Sequence, residues 1–196
     1  MTPERQRLLQ QLNFLREIDK VKAIVRKTSL FDGSRRENDA EHSWTLAVMV
    51  SLLREYADVE VKLERTLLMV LLHDVVEVDA GDVFIYDPAR AHVAAKEEAA
   101  AQRIYGLLPA DQAQPWLELW REFEARQTPE AKFAAAFDRL EPVLQNYYNG
   151  GGTWREFGIT KAQVVAKNQP IADASQRLWA FVQELIEECD QRGDFA

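Results

Sequence analysis

The stretch Leu67-Leu68-Met69-Val70-Leu71-Leu72-His73-Asp74-Val75-Val76-Glu77-Val78-Asp79-Ala80-Gly81-Asp82 begins as an apolar run and then becomes ionisable. The apolar part predicts a helix, from about Val61 to Glu77, that Gly81-Asp82 ends with a turn. On that helix His73 and Glu77, four residues apart, lie one above the other. Asp74 sits about 100° round the axis. Burying such a His-Asp pair is costly unless it is hydrogen-bonded or coordinates an ion. A satisfied His-Asp pair at a helix end and a metal site both meet that condition, and a dipeptide alone does not choose between them.

Any histidine-based site must draw on three residues, His42, His73 and His92. On the N-terminal side, Leu8, Leu12, Leu15, Ile18 and Val21 form a helical stripe across residues 4–25. Residues 26–37 are polar and read as a loop carrying Arg26, Lys27, Arg35 and Arg36, either solvated or in contact with an anion beside the site. Asn38-Asp39-Ala40-Glu41 is a capping box. It opens a helix to about Tyr56 that is expected to bury Trp44, Ala47, Val48 and Leu52 or their neighbours, with His42 in its first turn.

On the C-terminal side, residues 91–105 read as an Ala-rich helix with His92 exposed. Trp116, Leu119, Trp120 and Phe123 mark an amphipathic helix suited to core or dimer contact. Thr128-Pro129-Glu130 caps the next helix. Within it Asp138 follows Phe133-Ala134-Ala135-Ala136-Phe137, where an unpaired carboxylate is expensive. Arg139 beside it offers one partner and a metal another. Gly150-Gly151-Gly152 stops that helix, Thr160–Gln163 is a second capping box, and the last helix carries Leu178, Trp179, Phe181, Val182, Leu185 and Ile186. No strand and no internal repeat is expected.

Composition narrows the classes. The 196 residues suit one domain, with a core over about 12–150 and a C-terminal helical extension over about 153–192. A net charge of −8 argues against a nucleic-acid-binding surface. Cys189 alone excludes a disulfide framework and Cys-type zinc fingers. The polar start shows no apolar signal region, and no run approaches the ~20 apolar residues of a membrane span. A cytoplasmic location is the expectation.

His42, His73, Asp74 and Asp138 together form a donor set for one divalent transition metal, with positions left for water. Carboxylates lean it away from a closed structural zinc site. Mn, Co, Ni, Fe and Zn all accept this set, and the sequence does not choose among them.

Here the chain resembles the HD-domain metal-dependent phosphohydrolases, whose signature is an isolated His, a later His-Asp and a distal Asp. Arg36-Glu37-Asn38-Asp39-Ala40-Glu41-His42-Ser43 is similar to the R-E-x-x-x-E-H-S block of the branch that contains the 5'-deoxynucleotidases. His73–Asp82 is similar to its H-D-x-x-E-x-x-x-G-D block. The resemblance covers about residues 12–150 and implies an all-α fold around a metal. It implies hydrolysis of a phosphomonoester, most readily a (deoxy)nucleoside 5'-monophosphate. It implies Glu77 as the group that orients or deprotonates the attacking water. Asp82 would protonate the leaving oxygen or hold the water, and Arg26 would bind the phosphate. It also implies a homodimer.

One departure stands out: the branch has Arg followed directly by Trp near the sugar, and this chain has Arg26-Lys27. Two other readings stay open. One keeps the metal but takes a nucleoside triphosphate or a phosphodiester, although no further cluster of cations along the chain suggests a triphosphate grip. The other is a non-catalytic, metal-binding helical dimer.

Overall fold

The computed structural model describes residues 1–196, apart from the side chain at position 91. Helix α1 (Pro3–Ile18) opens on a Thr2 cap with Pro3 in its first turn. A 3₁₀ segment, Asp19–Ala23, follows and leads into β1 (Val25–Ser29), which pairs antiparallel with β2 (Arg36–Asn38). Next come α2 (Asp39–Leu52) and α3 (Leu63–Leu72), then a 3₁₀ turn at His73–Val76 and the single turn α4 (Glu77–Ala80). The rest is helical: α5 (Ala94–Tyr105), α6 (Ala110–Ala125), α7 (Pro129–Tyr148), α8 (Gly152–Glu156), α9 (Lys161–Asn168) and α10 (Gln176–Arg192). The all-α expectation is met, with one small hairpin. Among the described residues no helix is long and apolar enough to cross a membrane.

Helix α7 is the axis of the core. It buries Phe133, Phe137, Leu140 and Val143 together with Ala131, Ala134, Ala135 and Ala136. The run of small side chains lets α2 and α3 lie close against it. Helices α6 and α10 close the bundle through Leu119, Trp120, Phe123, Val182 and Ile186.

The structure corrects several expectations. Residues 25–38 form a hairpin, not a loop. Its strands are short and polar, so the alternation that betrays a strand is missing. The N-terminal stripe stays largely exposed at Leu8, Leu12 and Leu15, because α1 docks through Phe14 against Tyr105 and Trp116. In α2 the buried side is the neighbouring set His42, Leu46, Met49 and Val50, whereas Trp44, Val48 and Leu52 are exposed. That i, i+4, i+7, i+8 face is a complete helical stripe once His42 is counted as interior.

Helix α3 does not run on to Glu77. It stops at Leu72, and side chains take over its last carbonyls. Tyr105 Oη donates to the Leu72 carbonyl at 2.8 Å, and Trp120 Nε1 donates to the His73 carbonyl at 3.2 Å. Buried polar backbone is thereby satisfied without a continued ladder. Gly81, at φ 77°, then turns the chain after α4 and sets Asp82 beside the cleft.

Candidate metal centre

His42 enters the interior from the first turn of α2, behind the Asn38–Glu41 capping box, which is formed as expected. Its Nε2 lies 3.2 Å from Asp138 Oδ1 and 3.8 Å from Asp74 Oδ2. Its Nδ1 lies 3.2 Å from Glu141 Oε2, so the ring is oriented by a carboxylate one turn along α7 from Asp138. Gln145 Nε2 in turn donates to Glu141 Oε1 at 2.5 Å.

His73 sits in the 3₁₀ turn that replaces the end of α3. Its Nδ1 donates to the Val70 carbonyl at 2.9 Å. Its Nε2 is buried and has no aligned hydrogen-bond partner, although Asp74 Oδ1 is 3.1 Å away and Asp138 Oδ1 3.7 Å. A buried ring nitrogen facing two carboxylate oxygens without a good hydrogen bond is the arrangement a shared cation resolves. His42, His73 and Asp138 offer donor atoms that all lie within 4.8 Å of one another, and Asp74 reaches both rings. The fold thus brings together all four ligands expected from the sequence, and the donor set fits a divalent transition metal. His92 lies apart and exposed.

Charge is distributed unevenly around this point. Burial disfavours charge on both rings, and the carboxylates overcome it. His42 is pushed up to about 9 by Asp138 and Glu141, with Arg26 opposing. His73 is pushed up to about 10 by Asp74 and Asp138. Asp74 and Asp138 are held well below the usual carboxylate range, against burial, by those same imidazoles. Glu77 moves the other way: burial and the charges of Asp74, Asp39 and Asp82 raise it well above the usual range. Burial raises Asp82 as well, with Arg26 opposing and Asp74 reinforcing.

Three acids to which the sequence reading gave no role complete this environment. Glu37 is pushed up to about 7 by burial and by Glu141. Asp39 is pushed up to about 6 by burial and by Asp74. Glu141 is buried against His42. Glu37 and Asp39 lie within the block that ends in His42, and Glu141 follows Asp138 by three residues, so proximity to those ligand candidates was the available signal.

The centre opens into a cleft. Arg26 reaches it from β1, donating to Asp74 Oδ2 at 2.8 Å and to Asp39 Oδ1 at 3.3 Å. Lys27 and Thr28 follow it on the wall. Arg35 and Arg36 do not contribute, because Glu41 and Glu156 hold them outside at 2.5 Å each. One expectation fails here. Arg90, Arg126 and Arg139 also line the cleft, so cations scattered in sequence do cluster in space. Of the two partners the sequence offered Asp138, Arg139 forms no ion pair with it, and the carboxylate faces His42 and His73 instead. The segment after Gly152, from which little was expected, supplies Thr153, Trp154 and Asn168 to the cleft wall. Phe84, Tyr86 and Trp154 are aromatic side chains there, and Lys27 stands where the related branch carries Trp.

The HD domain model matches residues 18–179 of the chain. The human protein named 5'-deoxynucleotidase HDDC2 is 31% identical over 136 residues, 68% of this chain and 65% of that protein. The match therefore spans slightly less than two thirds of that relative's length. A fission yeast protein, 5'-deoxynucleotidase hdd1 of Schizosaccharomyces pombe, is 25% identical over 187 residues, 87% of this chain and 93% of its own. Among solved structures, that of a predicted metal-dependent phosphohydrolase from Magnetospirillum magnetotacticum MS-1 superposes with a TM-score of 0.95. It is 49% identical and the match covers 100% of this chain and 98% of that one.

Proposed function

The chain belongs to the HD-domain family, and from that premise we propose that it is a metal-dependent phosphohydrolase of small phosphomonoesters, with a (deoxy)nucleoside 5'-monophosphate as substrate. The observation that carries this is His73 Nε2, buried and without a hydrogen-bond partner among acids on two helical segments. The names of the human and yeast relatives support the nucleotide substrate.

His42, His73, Asp74 and Asp138 would hold the cation, which when bound supplies Lewis acidity toward a phosphate oxygen and an attacking water. Everything else in the site serves proton and charge. Hydrolysis adds water to phosphorus, breaks the P–O bond to the sugar and delivers a proton to the departing oxygen. Glu77, whose carboxyl is raised by burial and by its acidic neighbours, accepts a proton from water and orients it. Asp82, on the turn set by Gly81, is on the same cleft wall and serves the leaving oxygen. Arg26 neutralises the phosphoryl oxygens; Asp74 and Asp39 fix its guanidinium in place. A cytoplasmic homodimer remains part of this reading, supported by the exposed apolar face Trp44, Val48 and Leu52 of α2.

The decisive experiment is phosphate release from a panel of ribo- and deoxyribonucleoside mono-, di- and triphosphates after loading with Mn, Co, Ni, Fe or Zn. Release from monophosphates is expected. No release from any monophosphate with any of these ions overturns the proposal.

A further inference from the structure

We infer that the cleft contains a second anion-binding subsite, built from Arg126 and Arg139 with Arg90 beside them, which takes a phosphoryl group other than the one hydrolysed. In a chain of net charge −8 most surface arginines are tied to acids, among them Arg7 to Asp111, Arg35 to Glu41 and Arg36 to Glu156. Arg126 and Arg139 differ. Among the described residues neither has a carboxylate within ion-pair distance, and the Nε of each is buried without an acceptor. Both line the cleft. Arg90 is itself partly matched, by Glu97 at 3.3 Å. Glu124 shares this wall but pairs with none of them.

Arg126 is also the one described residue other than glycine with positive φ, 51°, where it caps the C-terminus of α6. Glycine would occupy that backbone at lower cost. An arginine kept there, turned into a cleft and unpaired, is explained by an anion that fits between it and Arg139. That anion is distinct from the reacting group. The reacting phosphoryl belongs at the metal ligands beside Arg26, whereas neither Arg126 nor Arg139 forms an ion pair with any of those acids. Asn146, Thr153 and Asn168 add neutral polar groups to the cleft. The ligand class is therefore a nucleotide with a second phosphoryl group, or a mononucleotide bound together with free phosphate.

This inference rests on the phosphohydrolase reading only for the identity of the first phosphoryl group, and its test does not require turnover. Calorimetry is done on the metal-loaded Glu77→Gln protein with 2'-deoxyadenosine 5'-monophosphate and 2'-deoxyadenosine 3',5'-bisphosphate. The bisphosphate is expected to bind about tenfold tighter, as one further charge-assisted contact gives. Adding Arg139→Gln or Arg126→Gln is expected to collapse that ratio toward one; the second variant serves if the first does not fold. Inorganic phosphate titrated into the mononucleotide complex separates the two sources. A saturable second site that either Arg variant removes assigns the subsite to the free ion. Equal affinities for both nucleotides, with no second phosphate site, overturn the inference. A bisphosphate preference in a protein that releases no phosphate from the nucleotide panel would sink the earlier proposal and leave this one standing.

Discussion

The carbonyl of Val70 fixes the ring of His73. Nδ1 is 2.9 Å from that oxygen, so the proton on this nitrogen is committed to the backbone and Nε2 is left to face Asp74 and Asp138. The tautomer a metal needs is thus set by the last turn of the apolar helix that delivers the histidine.

Removing a ligand should remove the metal. Asp74→Ala takes away a carboxylate that touches both imidazoles and holds Arg26. The purified variant is expected to contain no stoichiometric metal by elemental analysis and to release no phosphate. Full metal content would take Asp74 out of the coordination shell.

Glu77 sits outside the expected ligand set, so Glu77→Ala should separate binding from turnover. Metal content is expected to match the unmodified protein, while kcat falls about 10²- to 10⁴-fold, the usual contribution of a positioned acid–base group. Unchanged turnover would remove Glu77 from the chemistry.

Glu141 orients His42 without reaching the proposed substrate position. Glu141→Ala is expected to weaken metal affinity about 10- to 100-fold, as loss of such a supporting hydrogen bond does. Competition against a chelator of known affinity measures it, and an affinity within error of the parent would contradict the orienting role.

Metal uptake should release protons. In the metal-free protein His42 and His73 are raised to about 9 and about 10. At pH 7 both rings are therefore charged, and a cation must displace a proton from each. Affinity is expected to rise with pH across the neutral range and to level off above about 10. Calorimetry in buffers of different ionisation enthalpy counts the protons, and the absence of buffer dependence would refute the raised values.

The backbone break at Leu72 also has an energetic signature. Tyr105→Phe leaves the Leu72 carbonyl buried without its donor, a loss of about 1–3 kcal/mol. In a chain of this size each kcal/mol lowers Tm by about 2–4 °C. Thermal unfolding unchanged by the substitution would mean that the carbonyl finds another partner.

The sequence disclosed the members of the candidate centre better than the frame that holds them. His42, His73, Asp74 and Asp138 were legible because ionisable residues interrupt apolar helices, where only pairing or coordination tolerates them. Asn38 and Glu41 were legible because capping is local chemistry. The hairpin was hidden, since Arg26, Lys27 and Arg36 occupy strand positions that a simple sheet would fill with alternating apolar residues. The exposed side of α2 was misjudged at Trp44, Val48 and Leu52, because large apolar residues do not announce whether they face a core or the surface. The grouping of Arg90, Arg126 and Arg139 is a tertiary fact: three residues from separate elements share one wall only after α7 is packed.

The bond from Trp120 to the His73 carbonyl has a practical use. It places an indole 3.2 Å from the backbone of His73, a proposed ligand, while Trp154 sits on the cleft wall. Open-shell ions such as Mn, Co or Ni quench nearby indole emission, and closed-shell Zn does not. The protein therefore carries its own optical gauge of occupancy, readable in a cuvette with no dye and no substrate.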